Sequence, residues 1–224
     1  SVAFLVAILS CKKDENHAKD FKKDFEQASL KHNEAMDFVL SSIKSKKSIS
    51  KEQILVDVRE SVNEYIYCNA IFFSDLQESS IILNREADRL ISFYKRKKSV
   101  DEKIVNEHTD FLLNTIQSYS EQLSLVQKEL LLEINSVFEK ESNPEIIISK
   151  LNFIKDVKCL SLPESERNVV YAATTIGVQS VEYWYGNLDK WIFAITNKKG
   201  NRESFSEKGW FNWGSVGKND VAGA

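Results

Sequence analysis

The sequence predicts an all-α protein: an antiparallel bundle of about five helices with an aromatic, loop-rich C-terminal segment. Three observations predict it. Apolar residues recur every three or four positions over most of the chain, the spacing of one helix face turned to a core. No glycine precedes Gly177, and the two prolines are Pro144 and Pro163, so the turns that strands require at short intervals are missing. A 42% hydrophobic content over 224 residues is enough to build a core.

The first helix places Phe21, Phe25, Ala28, Ala35, Val39 and Ile43 on one stripe. A second opens after Ser50, with Gln53 completing a capping box, and its seam runs from Leu55 through Val58, Val62 and Ile66 as far as Tyr94. The serines at Ser79 and Ser80 are a candidate break in it. Ser99 and Glu102 cap a third helix, whose seam steps from Val105 through Leu112, Ile116, Tyr119, Val126, Leu130 and Ile134 to Val137 without interruption. Asn143 and Pro144 start a shorter one, carrying Ile147, Leu151 and Ile154. A capping box of Ser161 and Glu164 starts the last, which continues through Val170, Ala173, Gly177 and Val181 to Trp184.

Beyond that point the composition changes. All seven glycines lie at or after Gly177, and all four tryptophans, Trp184, Trp191, Trp210 and Trp213, fall near the C-terminus. These tryptophans either pack as an aromatic cover on the bundle or form a contact surface for a membrane or partner. Domain boundaries follow: residues 1–10 as a signal-peptide remnant, 11–19 as a tether, 20–185 as the helical domain and 186–224 as the aromatic segment.

The N-terminus speaks to location. Val2 to Leu9 is apolar throughout, too short for the ~20 residues that span a bilayer but matched to a secretory h-region of ~7–15. A buried N-terminal strand is the alternative. The chain starts at Ser1, so a Met and a basic n-region are expected upstream. Ile8-Leu9-Ser10-Cys11 resembles a bacterial lipobox, with Leu9 where a smaller residue is commoner. The resemblance implies acylation of the Cys11 sulfur, cleavage before Cys11, and anchoring by acyl chains such as palmitate. Lys12-Lys13-Asp14-Glu15 resembles the lysine-plus-acidic export signal of Bacteroidota surface lipoproteins. That implies the outer membrane, with display at the cell surface.

A second resemblance rests on Val170-Tyr171-Ala172-Ala173, Ser180-Val181-Glu182-Tyr183-Trp184 and Lys218-Asn219-Asp220-Val221-Ala222-Gly223-Ala224. Together these are similar to a group of uncharacterised helical lipoproteins of Bacteroidota. There, such an ending leads into a glycine-zipper tail, of which Gly217, Val221 and Gly223 would be the start. The group implies kinship and no activity.

Other chemistries find little support. Thirty basic and 33 acidic residues give a net charge of −3, without the basic excess of a nucleic-acid binder, and Lys95-Arg96-Lys97-Lys98 suits a helix C-terminus. His17, His32 and His108 share no metal-ligand spacing, so no metal or cofactor is expected. Gly214 to Lys218 lacks phosphate-loop spacing, and no nucleophile elbow occurs. Asp57 and Glu60, like Asp101 and Glu102, read as solvated or capping acids. Cys68 and Cys159 either form a disulfide in an oxidising envelope or remain two independent buried thiols on apolar faces.

The functional expectation is a non-enzymatic, lipid-anchored protein of the bacterial envelope with a structural or interaction role. Its partners would be membrane lipid through Cys11 and an envelope or extracellular protein. The alternative is a toxin-like protein whose membrane-inserting tail continues past Ala224. A hydrolase with a site assembled from scattered residues is the third reading.

Overall fold

The computed structural model describes residues 21–46, 51–69, 111–196, 217, 218 and 221. Among these residues there are six α-helices and no strand: α1 (Phe21–Lys46), α2 (Lys51–Cys68), α3 (Phe111–Ser118), α4 (Leu125–Lys140), α5 (Pro144–Phe153) and α6 (Glu164–Thr196). The all-α expectation holds.

Helix direction can be read from which residues meet. Ser42 meets Ser61, and Lys46 meets Glu60, so α1 and α2 are antiparallel. Glu133 meets Lys158 while Glu141 meets Lys150, so α4 and α5 also run opposite ways. In contrast, Tyr171 reaches Glu26 and Tyr183 reaches Asp37, which sets α6 parallel to α1. The pairs α1/α2 and α4/α5 are thus antiparallel, while α6 runs alongside α1 in the same direction.

At 33 residues, α6 is about 50 Å long and is the spine of the molecule. From Val170 to Val178 every residue is buried, so this stretch is enclosed on all sides rather than on one stripe. Small residues make that enclosure feasible: Ala172, Ala173 and Gly177 let neighbours approach closely. Two clusters share the spine. The larger joins Phe25, Leu112, Ile134, Phe138, Leu151 and Val170. The second joins Val39, Ile43, Val62, Ile66, Tyr183 and Trp191 from α1, α2 and the later part of α6. Trp184 packs against both.

Several boundaries differ from expectation. The uninterrupted helix through Tyr119 and Val126 is instead two helices, α3 and α4, separated by turns at 119–124. Ser124 restarts the helix with a full capping box: its hydroxyl accepts from the Gln127 N–H, and the Gln127 side chain accepts from the Ser124 N–H. Tyr119 and Val126, placed on the seam by periodicity, are therefore exposed. The serine is further pinned to α6, donating to Glu166 Oε2 at 2.6 Å.

Asn143 caps α5 as expected, accepting from the Glu145 and Ile146 N–H groups, with Pro144 in the first turn. Ser161 does not cap α6. Its hydroxyl donates to the Lys158 carbonyl at 2.6 Å, and it belongs to a 3-10 turn over Cys159–Ser161. Leu162 then has ψ of 153°, the extended geometry that a following proline imposes, so helix cannot begin before Pro163. Between α5 and that turn, Ile154–Lys158 forms a widened π turn in which the Cys159 N–H bonds the Ile154 carbonyl. The five-residue step keeps Ile154 and Cys159 on one buried face.

At its far end α6 continues past Trp184 to Thr196, carrying Leu188, Trp191 and Ile192 into the core. A break at residues 185–186 would cut this helix. Gly186 faces open space and does not stop it.

Candidate functional site

Cys11, Lys12, Lys13, Asp14 and Glu15 lie outside the described residues, as do Trp210, Trp213, His17, His108 and the basic run at 95–98. The remaining predicted residues fall into three places.

The first is the aromatic junction of α1, α2 and α6. Trp191 is buried, and its Nε1–H donates to Tyr183 Oη at 3.2 Å. Tyr183 in turn donates to Asp37 Oδ1 at 2.9 Å, tying α6 to α1. The Trp184 ring lies against Trp191 at 5.3 Å and edge-on to Tyr183 at 5.8 Å. On the α2 side, Phe38 meets Tyr65 at 5.7 Å, and Tyr65 donates to the Lys31 carbonyl and Glu34. Of the two readings of the tryptophans, Trp191 and Trp184 take the packing role.

Burial is the main force that pushes the Tyr183 phenol above its ordinary value, and the Asp37 carboxylate adds to it; the Trp191 N–H opposes them. Burial raises Tyr65 likewise, helped by Glu34. The sign follows directly. A phenol whose folded pKa is raised contributes stability that is intact below its unfolded pKa of ~10 and is lost as pH climbs past it. Thermal denaturation at stepped pH should therefore show stability falling above about pH 10. Tyr183→Phe should make that alkaline fall shallower, because one of the late-ionising phenols is gone.

The second place concerns the cysteines. No bridge joins them, and of the two thiols expected to be buried only Cys159 is. Cys68 is an exposed free thiol at the end of α2, whereas Cys159 is a fully buried free thiol whose Sγ lies 3.5 Å from the Arg167 carbonyl. Burial pushes the Cys159 thiol up against the weaker pull of Arg167 and Lys22, so it is neither accessible nor readily ionised. In native protein a thiol reagent should modify Cys68 within minutes and Cys159 only after denaturant is added. Protection of both thiols in unreduced, unfolded protein would contradict this.

The third is polar. Asp57, expected on a solvated face, is buried where α2 meets the end of α1. Its carboxylate accepts from Gln53 Nε2 at 3.1 Å and lies 3.7 Å from Lys46 Nζ, which also pairs with Glu60 at 2.8 Å. Alternation around α2 turns Asp57 inward toward α1, and Lys46 provides the cation that burial requires. His32 is buried within α1, its Nδ1 3.1 Å from Asn33 Oδ1.

A fourth place holds Gly217, Lys218 and Val221, of which the sequence offers Gly217 and Val221 as the start of a glycine-zipper tail. Gly217 and Val221 are buried, and Val221 belongs to the larger core. A Cβ on Gly217 would lie 2.1 Å from Phe138 Cε1, so only glycine fits there. A Cβ on Gly177 would lie 3.1 Å from both Leu151 Cδ1 and Val221 Cγ2, and 3.2 Å from Phe138 Cζ. Lys218 Nζ pairs with Glu139 at 3.0 Å. The sequence signal was present as small residues at both partners, Gly177 and Gly217, but nothing in one sequence pairs them.

A groove of about 530 Å³ opens between α4 and α5, lined by Val137, Phe153, Ser136, Lys140, Glu133 and Lys150 among others. Of its charged residues, Lys150 pairs with Glu141, and Glu133 pairs with Lys158. Among the described residues no three His, Cys, Asp or Glu side chains gather as a metal set, and no helix is long and apolar enough to cross a membrane. Comparison with known proteins finds no matching family model, no matching curated protein and no matching solved structure.

Proposed function

We propose that this chain is an exported protein of the bacterial envelope, anchored in the outer membrane by lipid on Cys11, and that its helical bundle acts by contact rather than by catalysis. One observation carries the reading: eight apolar residues, Val2 to Leu9, run through Ser10 into Cys11 and then Lys12-Lys13-Asp14-Glu15. The apolar run suits an export signal, the cysteine supplies a thioether site, and the charges keep the residues after it in water.

The physical case is simple. Each methylene of an acyl chain contributes about 0.8 kcal/mol on burial, so two or three chains hold a protein of this size on a bilayer without a spanning helix. The bundle then stands off the membrane on the residues that follow Cys11. Interaction with an envelope or extracellular protein is the role we assign to it; the near-neutral charge argues against nucleic acid.

The test is expression of the full reading frame in a Gram-negative host, with radiolabelled palmitate. Native protein should take up label and sediment with membranes. Cys11→Ser should take up none, and its membrane-bound fraction should drop at least ~10-fold, as expected when the only acyl anchor is lost. Equal sedimentation of the two proteins, or native protein without label, would end the proposal.

A further inference from the structure

Helix α5 has two apolar faces. Ile147, Leu151 and Ile154 are buried against the bundle, whereas Ile146, Phe153, Val157 and Leu160 are 43–54% exposed. Steps of seven, four and three residues put these four on one line, which runs from α5 through the π turn into the 3-10 turn. Lys150 falls on the same line between Ile146 and Phe153, and its methylene stem bridges them. At those exposures the four side chains present roughly 400 Å² of apolar surface to water, a patch of the size that marks interaction sites. A standard interface takes ~800 Å² from each partner and is only ~56–65% apolar, so the stripe with its polar flanks approaches what a stable dimer needs. Charge along the stripe is balanced. Lys150 pairs with Glu141 and Lys158 with Glu133, while Glu145 and Asp156 are matched in number by Lys140 and Lys155. A face of this kind does not repel a copy of itself.

We propose that this stripe is a self-association surface, covered by the same stripe of a second copy of the chain in a two-fold, antiparallel pairing. The orientation follows from Lys150. A parallel, in-register pair would set Lys150 against Lys150 of the other copy, two like charges in an apolar seam. Antiparallel pairing about the middle of α5 instead sets Lys150 of one copy over the Phe153 ring of the other, a cation on an aromatic face. The same register brings Ile146 of one copy beside Val157 of the other. The dimer joins two bundles through α5 and leaves each core undisturbed. This inference stands independently of lipidation at Cys11.

The test is sedimentation equilibrium of the full chain under reducing conditions, which exclude disulfide dimers through Cys68. The native chain should reach twice its own mass at micromolar concentration. Phe153→Asp and, separately, Val157→Asp should each weaken the dimer at least tenfold while keeping the helical far-UV signal, since both side chains lie outside the core. Leu125→Asp, at an exposed apolar residue of α4 away from the stripe, should leave it intact. Orientation is read by cross-linking in a Cys11→Ser, Cys68→Ser background. Chains with Ile146→Cys and chains with Val157→Cys should form disulfides with each other faster than with their own kind. Five results would overturn the proposal: a native monomer throughout, a dimer indifferent to both aspartates on the stripe, equal weakening by Leu125→Asp, faster cross-linking between like chains, or loss of helical signal in both stripe variants.

Discussion

Phe138→Ala is expected to lower stability by about 3–5 kcal/mol, the range for truncating a buried aromatic. Phe138 is 2% exposed and sits between two glycines, Gly177 and Gly217, that have no side chains to move into the space it leaves. The cavity would therefore persist rather than collapse. For a chain of this size the melting temperature should fall by roughly 6–20 °C. A companion substitution separates this cause from general fragility. Gly217→Ala alone should be destabilising, because its Cβ would lie 2.1 Å from the ring. In the Phe138→Ala background the same methyl enters vacant space and should restore part of the loss. Strict additivity of the two changes in a double-mutant cycle would show that the residues do not meet.

Trp191→Ala should cost a similar ~3–5 kcal/mol, through a different cluster. Its indole is buried against Trp184, and its N–H satisfies the Tyr183 oxygen, which in turn donates to Asp37. Trp191→Phe keeps much of the ring volume and removes the donor, so a smaller loss of about 1–2 kcal/mol is expected. Chemical denaturation of the three proteins checks the order. A Phe variant as weak as the Ala variant would mean that the hydrogen bond, rather than packing, holds the junction of α1 and α6.

Much of the fold was legible because periodicity carries most of the information in long amphipathic helices. Phe25, Ala35, Val39 and Ile43 in α1, Ile147 and Leu151 in α5, and Ile154 where the π turn begins, are all buried where the 3.6-residue repeat places them. What failed has identifiable physical causes. The break at 119–124 contains neither glycine nor proline, and the apolar spacing happens to continue through it. The restart signal, Ser124 with Gln127, is written in the chain, but the longer apolar seam hides it. At Ser161 the opposite occurred: a capping pattern was present, but Pro163 forces Leu162 into extended geometry and moves the helix start.

Composition changes after Trp184 while the helix does not: α6 runs on to Thr196. Gly186 is tolerated in an exposed position, and Leu188, Trp191 and Ile192 continue the buried face beyond it. Asp57 shows the limit of reading charge alone. An acid on an amphipathic helix is solvated by default, and only the approach of α1, with Lys46 at its end, makes its burial tolerable. The match between Gly177 and Gly217 depends on residues forty positions apart meeting in space. No local pattern encodes that meeting.

The residues that carry the functional proposal are local by nature, since an export and acylation signal is read as a short linear string. They are tested best on the protein itself. Full-length protein should be extracted from host membranes in detergent and its intact mass and N-terminal peptide measured. Lipid anchoring predicts a mature chain beginning at Cys11, heavier than its sequence by the mass of a diacylglyceryl group on sulfur, with or without one further acyl chain on the amino group. A chain that retains the residues before Cys11, with its thiol unmodified, would contradict it.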